Sequence, residues 1–209
     1  MMHDSHLLFC RRAFLLTASA SLPAGCGSIL PTPIAPQLYV LRPQLPPPEG
    51  AMVPWRLAVA TPDAPASLDT ARIALTRSAT TMDYFANAAW NDRIPLMFQR
   101  LLVQRFDASG RIVSAARDTS ELESDYLLET DIRDFHARYD TVEGAPEIVI
   151  NVQAKLVRMP QREIVASLNA TQTARASSNS LDAVVVAFNQ AVGAAVGQIA
   201  AWTLATPNV

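Results

Sequence analysis

Glu147-Ile148-Val149-Ile150-Asn151-Val152-Gln153-Ala154-Lys155-Leu156 carries an apolar side chain at every second position from Ile148, separated by Val149, Asn151, Gln153 and Lys155. Successive side chains of a strand point to opposite faces, so this alternation predicts a strand with one buried face and suits antiparallel pairing. Met159-Pro160-Gln161-Arg162 supplies a turn, and Glu163 to Thr173 returns with Ile164, Ala166, Leu168 and Ala170 facing one way. Together they read as a hairpin. Upstream, Asp125 to Ala137 reads as a longer strand with Tyr126, Leu128 and Ile132 on one face. Earlier still, Arg56–Ala60, Arg72–Thr76 and Thr81–Phe85 read as short strands, and Gln37–Leu41 as a first edge strand.

Two segments change period. Ile94, Phe98, Leu101, Leu102 and Phe106 recur at helical spacing and predict a helix over about 92–107, with Asp92 as cap and Pro95 tolerated in the first turn. Leu181, Val185, Phe188, Val192, Ala195, Ile199 and Trp202 recur at steps of four and three. They predict a second helix capped by Asn179, with Asp182 favourable at its N-terminal end. Gly193 and Gly197, with the alanines around them, are expected to make that helix thin enough to approach a sheet closely. A membrane-spanning reading is opposed by Asn189, Gln190 and Gln198. The inventory predicts an α+β fold: a two-layer domain with a mixed, largely antiparallel sheet of about five to seven strands and two main helices packed on it.

The 209 residues fit one such domain plus an export segment and a linker. With 17 basic and 19 acidic residues and a net charge of -2, nothing in the balance favours nucleic acid as a partner. The two cysteines, Cys10 and Cys26, both precede the folded region, which leaves no disulfide framework or cysteine-rich zinc site in its body.

Residues 1–26 have the order of an export signal: Arg11 and Arg12, a short apolar run beginning Ala13-Phe14-Leu15-Leu16, then small residues up to Cys26. Arg11-Arg12-Ala13-Phe14-Leu15 resembles a twin-arginine signal, with Cys10 where that signal usually has Ser or Thr, and the general export route stays open beside it. Ala24-Gly25-Cys26 resembles the end of a lipobox, in which the cysteine thiol receives diacylglycerol; Pro23 stands where an aliphatic residue is usual. The competing reading is a soluble periplasmic chain cleaved near an incidental cysteine. Residues 27–54 contain eight prolines and read as an extended tether that includes the first edge strand. The domain proper is expected over 55–209.

No constellation for catalysis, metal or cofactor emerges. After removal of His3 and His6, His136 is the one histidine left, and it reads as a surface residue at a strand end. The glycines form no phosphate loop. Glu129, Asp131 and Asp134 form a carboxylate group, with the first two expected on one strand face and Asp134 on the other, as a solvated rim. Glu123 and Asp125 lie nearby, but no twelve-residue calcium loop exists. Such a domain is expected to act by binding and not as an enzyme.

The ordered short patterns ending in these elements resemble one family. They are the Cys26 segment, Tyr39-Val40-Leu41, Ile73-Ala74-Leu75, Met82-Asp83-Tyr84-Phe85, Ala89-Trp90-Asn91-Asp92-Arg93-Ile94-Pro95, Tyr126 to Phe135, and the hairpin and final helix. Together they resemble the ABC-type transport auxiliary lipoproteins, which include the lipoprotein of the paraquat-inducible intermembrane system. The resemblance implies a lipid-anchored protein on the periplasmic side of the envelope. It implies action by docking or tethering with an ABC transporter and an MCE-domain substrate-binding protein, in moving lipids or other hydrophobic molecules between membranes. It also implies Tyr39, Tyr84 and Trp90 as candidate partner contacts, since large aromatics near strand ends make good anchors, although each reads equally well as a core plug. Gly27 after the cysteine, in place of the aspartate of inner-membrane retention, points to the outer membrane. Phospholipid and a homo-oligomer are further partners the resemblance leaves open. A lipid-binding carrier and a soluble periplasmic enzyme are the alternative functions.

Overall fold

The computed structural model describes residues 35–44, 50–120, 122–141 and 144–206. The segment read as an export signal, with Arg11, Arg12, Phe14, Leu15 and Cys26, lies outside them. Eight strands and two helices follow one another as β1 (Gln37–Tyr39), β2 (Val53–Val59), β3 (Arg72–Ser78), β4 (Thr81–Trp90), α1 (Ile94–Ser109), β5 (Ile112–Arg117), β6 (Tyr126–Arg138), β7 (Glu147–Arg158), β8 (Glu163–Arg175) and α2 (Leu181–Ala205).

The α+β class and the two helices on a mixed sheet agree with the sequence reading, but the predominance of antiparallel pairing does not. Four of the seven strand pairings are parallel: β1 with β4, β2 with β5, β2 with β6, and β3 with β6. The antiparallel ones are β3–β4, β6–β7 and β7–β8. The physical reason is that α1 carries the chain from β4 to a strand beside β2, a crossover that an alternating pattern cannot reveal. Such a pattern records which face is buried and not the direction of the neighbour. The six-residue strand β5 was not expected, because Ile112-Val113-Ser114-Ala115-Ala116-Arg117 mixes small and polar residues without a clean period.

β6 is the hub. Its first residues pair with β2, its last with β3, and its whole length with β7 on the other edge. Ile148, Ile150, Val152, Ala154 and Leu156 of β7 are all buried, as the alternation demanded. On β8, a bulge opposite Leu156/Val157 turns Val165 toward the core and leaves Ile164 57% exposed, against expectation.

α1 begins after Arg93, whose extended backbone occupies the cap position without a side-chain cap bond. The expected cap, Asp92, instead accepts from the Arg93 amide at 2.8 Å and from Arg100 at 3.3 Å. Gly110 ends the helix at φ 61°, a left-handed conformation that favours glycine. α2 starts one residue later than expected: Ser180 Oγ accepts from the Ala183 amide, and Asn179 accepts from Tyr139 Oη at 2.8 Å. Although long and apolar enough to cross a membrane by length and composition, α2 packs against β7, β8 and α1. A Cβ added at Gly197 would meet nothing within 4 Å, so close approach to the sheet does not require glycine there.

The centre of the core is aromatic. Trp90 meets Phe188 edge-to-face at 5.1 Å and Phe135 at 6.3 Å, while Phe135 stacks on Phe188 at 5.5 Å. These rings join β4, β6 and α2 and fix the helix to the sheet.

Candidate functional site

The three aromatics singled out in the sequence separate in space. Trp90 is only 1% exposed and plugs the core between β6 and α2, so its side chain offers no surface to a partner. Tyr39 and Tyr84 are half-buried and reach the surface. Tyr39 Oη donates to Asp182 at 3.2 Å, tying the edge strand to the start of α2. Burial and the neighbouring Asp182 carboxylate both hold the Tyr39 phenol above its usual pKa. Tyr84 Oη donates to the Ser67 carbonyl at 3.0 Å, and the Arg72 guanidinium lies 3.6 Å from its ring centroid.

The acidic group on β6 has a different geometry from the one expected. A bulge between Ile132 and Asp134 adds Arg133 to the strand and shifts its phase by one residue. Ile132 and Phe135 both face the core as a result, and Asp134 joins Glu129 and Asp131 on the outer face, opposite Asn151, Lys155 and Gln153. Each carboxylate has a neighbour: Glu129 has Arg162 at 3.6 Å, Asp131 has Arg133 at 3.2 Å, and Asp134 accepts from Asn151 at 3.2 Å. Glu123 and Asp125 both converge on Arg56, which holds the Asp125 carboxyl below its usual pKa. Among the described residues, no group of three or more His, Cys, Asp or Glu is placed to hold a metal.

His136 is not a surface residue. It is 8% exposed, at one end of a cleft of about 730 Å³ between the β3–β4 turn and the end of β6. Downstream of the bulge His136 shares the outer face with Asp134, two residues earlier, and Nδ1 lies 3.7 Å from that carboxylate without a hydrogen-bond partner. Burial lowers the imidazole pKa most; Asp134 opposes this and Arg138 adds to it. Of the hydroxyls lining the same cleft, on Thr76, Ser78, Thr80, Thr81 and Tyr139, those of Ser78 and Thr81 are hydrogen-bonded to each other at 2.6 Å, and His136 Nδ1 bonds none of them, so the geometry shows a polar recess.

A pH dependence follows from His136. Its pKa is lower folded than unfolded, so above about 6.5 both states are neutral, while below it the unfolded chain takes up the proton first. Urea midpoints are expected to fall between pH 7 and pH 5.5 in the parent chain and to fall less in His136→Asn. Equal losses in the two proteins would place the proton uptake elsewhere.

A family model described as the ABC-type transport auxiliary lipoprotein component matches residues 39–200, from β1 to within the last turns of α2. The chain belongs to this family. An auxiliary lipoprotein component is part of a transport system, so its partners lie within such a system. Among solved structures, this auxiliary lipoprotein is similar to XCC0632 from Xanthomonas campestris, at 30% identity and a TM-score of 0.75, covering 81% of this chain and 96% of that one. It is also similar in fold to an uncharacterized protein at 19% identity and a TM-score of 0.63, covering 81% of this chain and 99% of that one. No curated protein matches it.

Sequence reasoning missed one residue of this family member that the structure makes conspicuous. Arg105, on the inner side of α1, is 6% exposed and its Nε has no acceptor. The signal was present, since Arg105 follows Leu101 by four residues and adjoins Phe106 in the apolar stripe.

Proposed function

We propose that this chain is a non-catalytic, outer-membrane lipoprotein of an ABC/MCE-type system that moves lipids or hydrophobic molecules between the two membranes. It acts there by docking. The observation that carries the reading is the family match over residues 39–200. In this reading Cys26 bears the lipid, residues 27–54 hold the domain off the bilayer, and the domain binds the MCE-domain protein on the periplasmic side.

The packing supports docking over carriage. A carrier encloses its ligand, whereas the space between α2 and the sheet is filled by Trp90, Phe135, Phe188 and Ile150, all at most 1% exposed. Since Trp90 is committed to the core, Tyr39 and Tyr84 are the partner contacts to test. The lipidated chain, extracted in detergent, is expected to capture the MCE-domain protein in a pull-down, and Tyr84→Ala or Tyr39→Ala to weaken capture while circular dichroism stays unchanged. Undiminished capture by both folded variants would move the interface off these tyrosines.

A further inference from the structure

Arg105 directs attention to a groove between the Leu41–Pro43 segment and α1. Two adjoining clefts of about 370 and 350 Å³ share Leu41, Arg42, Leu101 and Gln104 as walls. The Leu41 side is held in place by its own burial and by the Arg42 amide, which donates to Asn189 of α2 at 2.6 Å. Among the described residues, those lining the two clefts include Arg42, Arg100 and Arg105 and no Asp or Glu. Arg100 has Asp92 at 3.3 Å, whereas the Arg42 and Arg105 side chains make no ion pair among the described residues.

A guanidinium remains charged in proteins, and a buried one normally has a carboxylate or several acceptors around it. Among the described residues Arg105 has neither: it is 94% removed from solvent with Nε unpartnered, and burial lowers its pKa. Leucine or methionine would fill the same place in the stripe without that cost. The geometry therefore leaves a fixed positive charge waiting for an anion, next to apolar Leu41, Met97 and Leu101. Cation beside apolar surface suits an amphiphile with an anionic head, and the planar fork of arginine suits phosphate.

We propose that this groove docks the phosphate headgroup of an anionic phospholipid at the membrane surface, with Arg42, Arg100 and Arg105 as its contacts and Leu41, Met97 and Leu101 beneath the glycerol and first methylenes. This choice of source rests on the Cys26 anchor. Leu41 lies fifteen positions after Cys26, a span of at most about 50 Å when extended, so an anchored chain keeps the groove close to the bilayer at high effective concentration. Engaging a headgroup would orient the domain on the membrane.

The test uses the chain from residue 26 with Cys26→Ser, which retains the described fold and carries neither the lipid nor Arg11 and Arg12. Flotation with phosphatidylglycerol-containing vesicles is expected to exceed that with phosphatidylcholine alone and to fall with salt. Arg42→Gln and Arg105→Met should each weaken the anionic binding about fivefold. Arg105→Met should do so while its melting temperature is kept or raised, an outcome a purely structural arginine would not give. Arg42 is exposed, so its variant keeps the test valid if Arg105→Met folds poorly. Equal flotation on both vesicles, or an anionic preference unchanged in both variants, overturns the proposal. Binding of free glycerol phosphate as tight as that of vesicles would make the ligand a soluble phosphate, and binding of a glutamate-rich apolar peptide in place of vesicles would assign the groove to a protein; either overturns it too. Failure of the anchor would appear as a soluble wild-type protein in cells, a separate readout from vesicle binding by the unlipidated chain.

Discussion

Cells producing the Cys26→Ser chain are expected to release it from the membrane fraction into the soluble periplasm, while the parent protein stays membrane-bound and carries diacylglycerol on Cys26 by mass spectrometry. The expected effect is close to complete because acyl burial contributes about 0.8 kcal/mol per methylene, and a lipoprotein N-terminus bears several chains where one alone binds only marginally. Residues 27–54 contain apolar side chains, among them Ile29, Leu30 and Ile34, but prolines interrupt them before any run long enough to substitute for the lipid. Pro23 in the lipobox-like segment is the departure that makes the measurement informative. A soluble parent protein cleaved at another position would contradict the assignment.

Trp90→Ala is expected to cost about 3–5 kcal/mol of stability, the usual range for truncating a buried aromatic. The site justifies the upper part of that range. Trp90 contacts both Phe188 and Phe135 edge-to-face, so the substitution removes two ring contacts and opens a cavity where β4, β6 and α2 meet. Trp90→Phe should retain more of the stability, because the indole Nε1 has no hydrogen-bond partner to lose. Urea denaturation of the three proteins checks this. A loss below about 1 kcal/mol for the alanine variant would mean that the indole is not in the core, and would return Trp90 to the candidate partner contacts.

The elements that could be read from sequence were those whose period stayed constant. β7 alternates over its buried run and α2 keeps its apolar residues at steps of three and four, so both were legible. β6 was legible as a strand, but one extra residue at Arg133 inverted the faces of everything after it. That single shift misplaced Asp134, while the burial of His136 on the same face comes with the cleft beside the β3–β4 turn, which no local pattern records. Strand direction was legible at the β7–β8 hairpin and not for β2 and β5, which join the sheet through connections whose return path is set by tertiary packing. Asp92 and Asn179 were sound capping residues in principle; Arg100 and Tyr139 compete for their side chains, which only the folded chain brings near.

The same limits governed the site. Tyr39, Tyr84 and Trp90 were chosen as large aromatics beside strand ends, a criterion that cannot separate a surface anchor from a core plug until the neighbouring helix is placed. Once α2 is placed, Phe188 claims Trp90, while Asp182 and the Ser67 carbonyl hold the tyrosines near the surface. The arginine groove was overlooked for the opposite reason: its residues come from two segments far apart in sequence, and only Arg105, in an apolar stripe, carried a local sign.

Docking to the transport system is tested most directly by cross-linking in native membranes, where Cys26 and residues 27–54 are in their natural setting. The wild-type chain is expected to be recovered cross-linked to the MCE-domain protein, and the purified chain by itself is expected not to move labelled phospholipid between vesicles. Recovery without any MCE-domain protein, together with phospholipid transfer by the purified chain, would contradict it in favour of a lipid carrier.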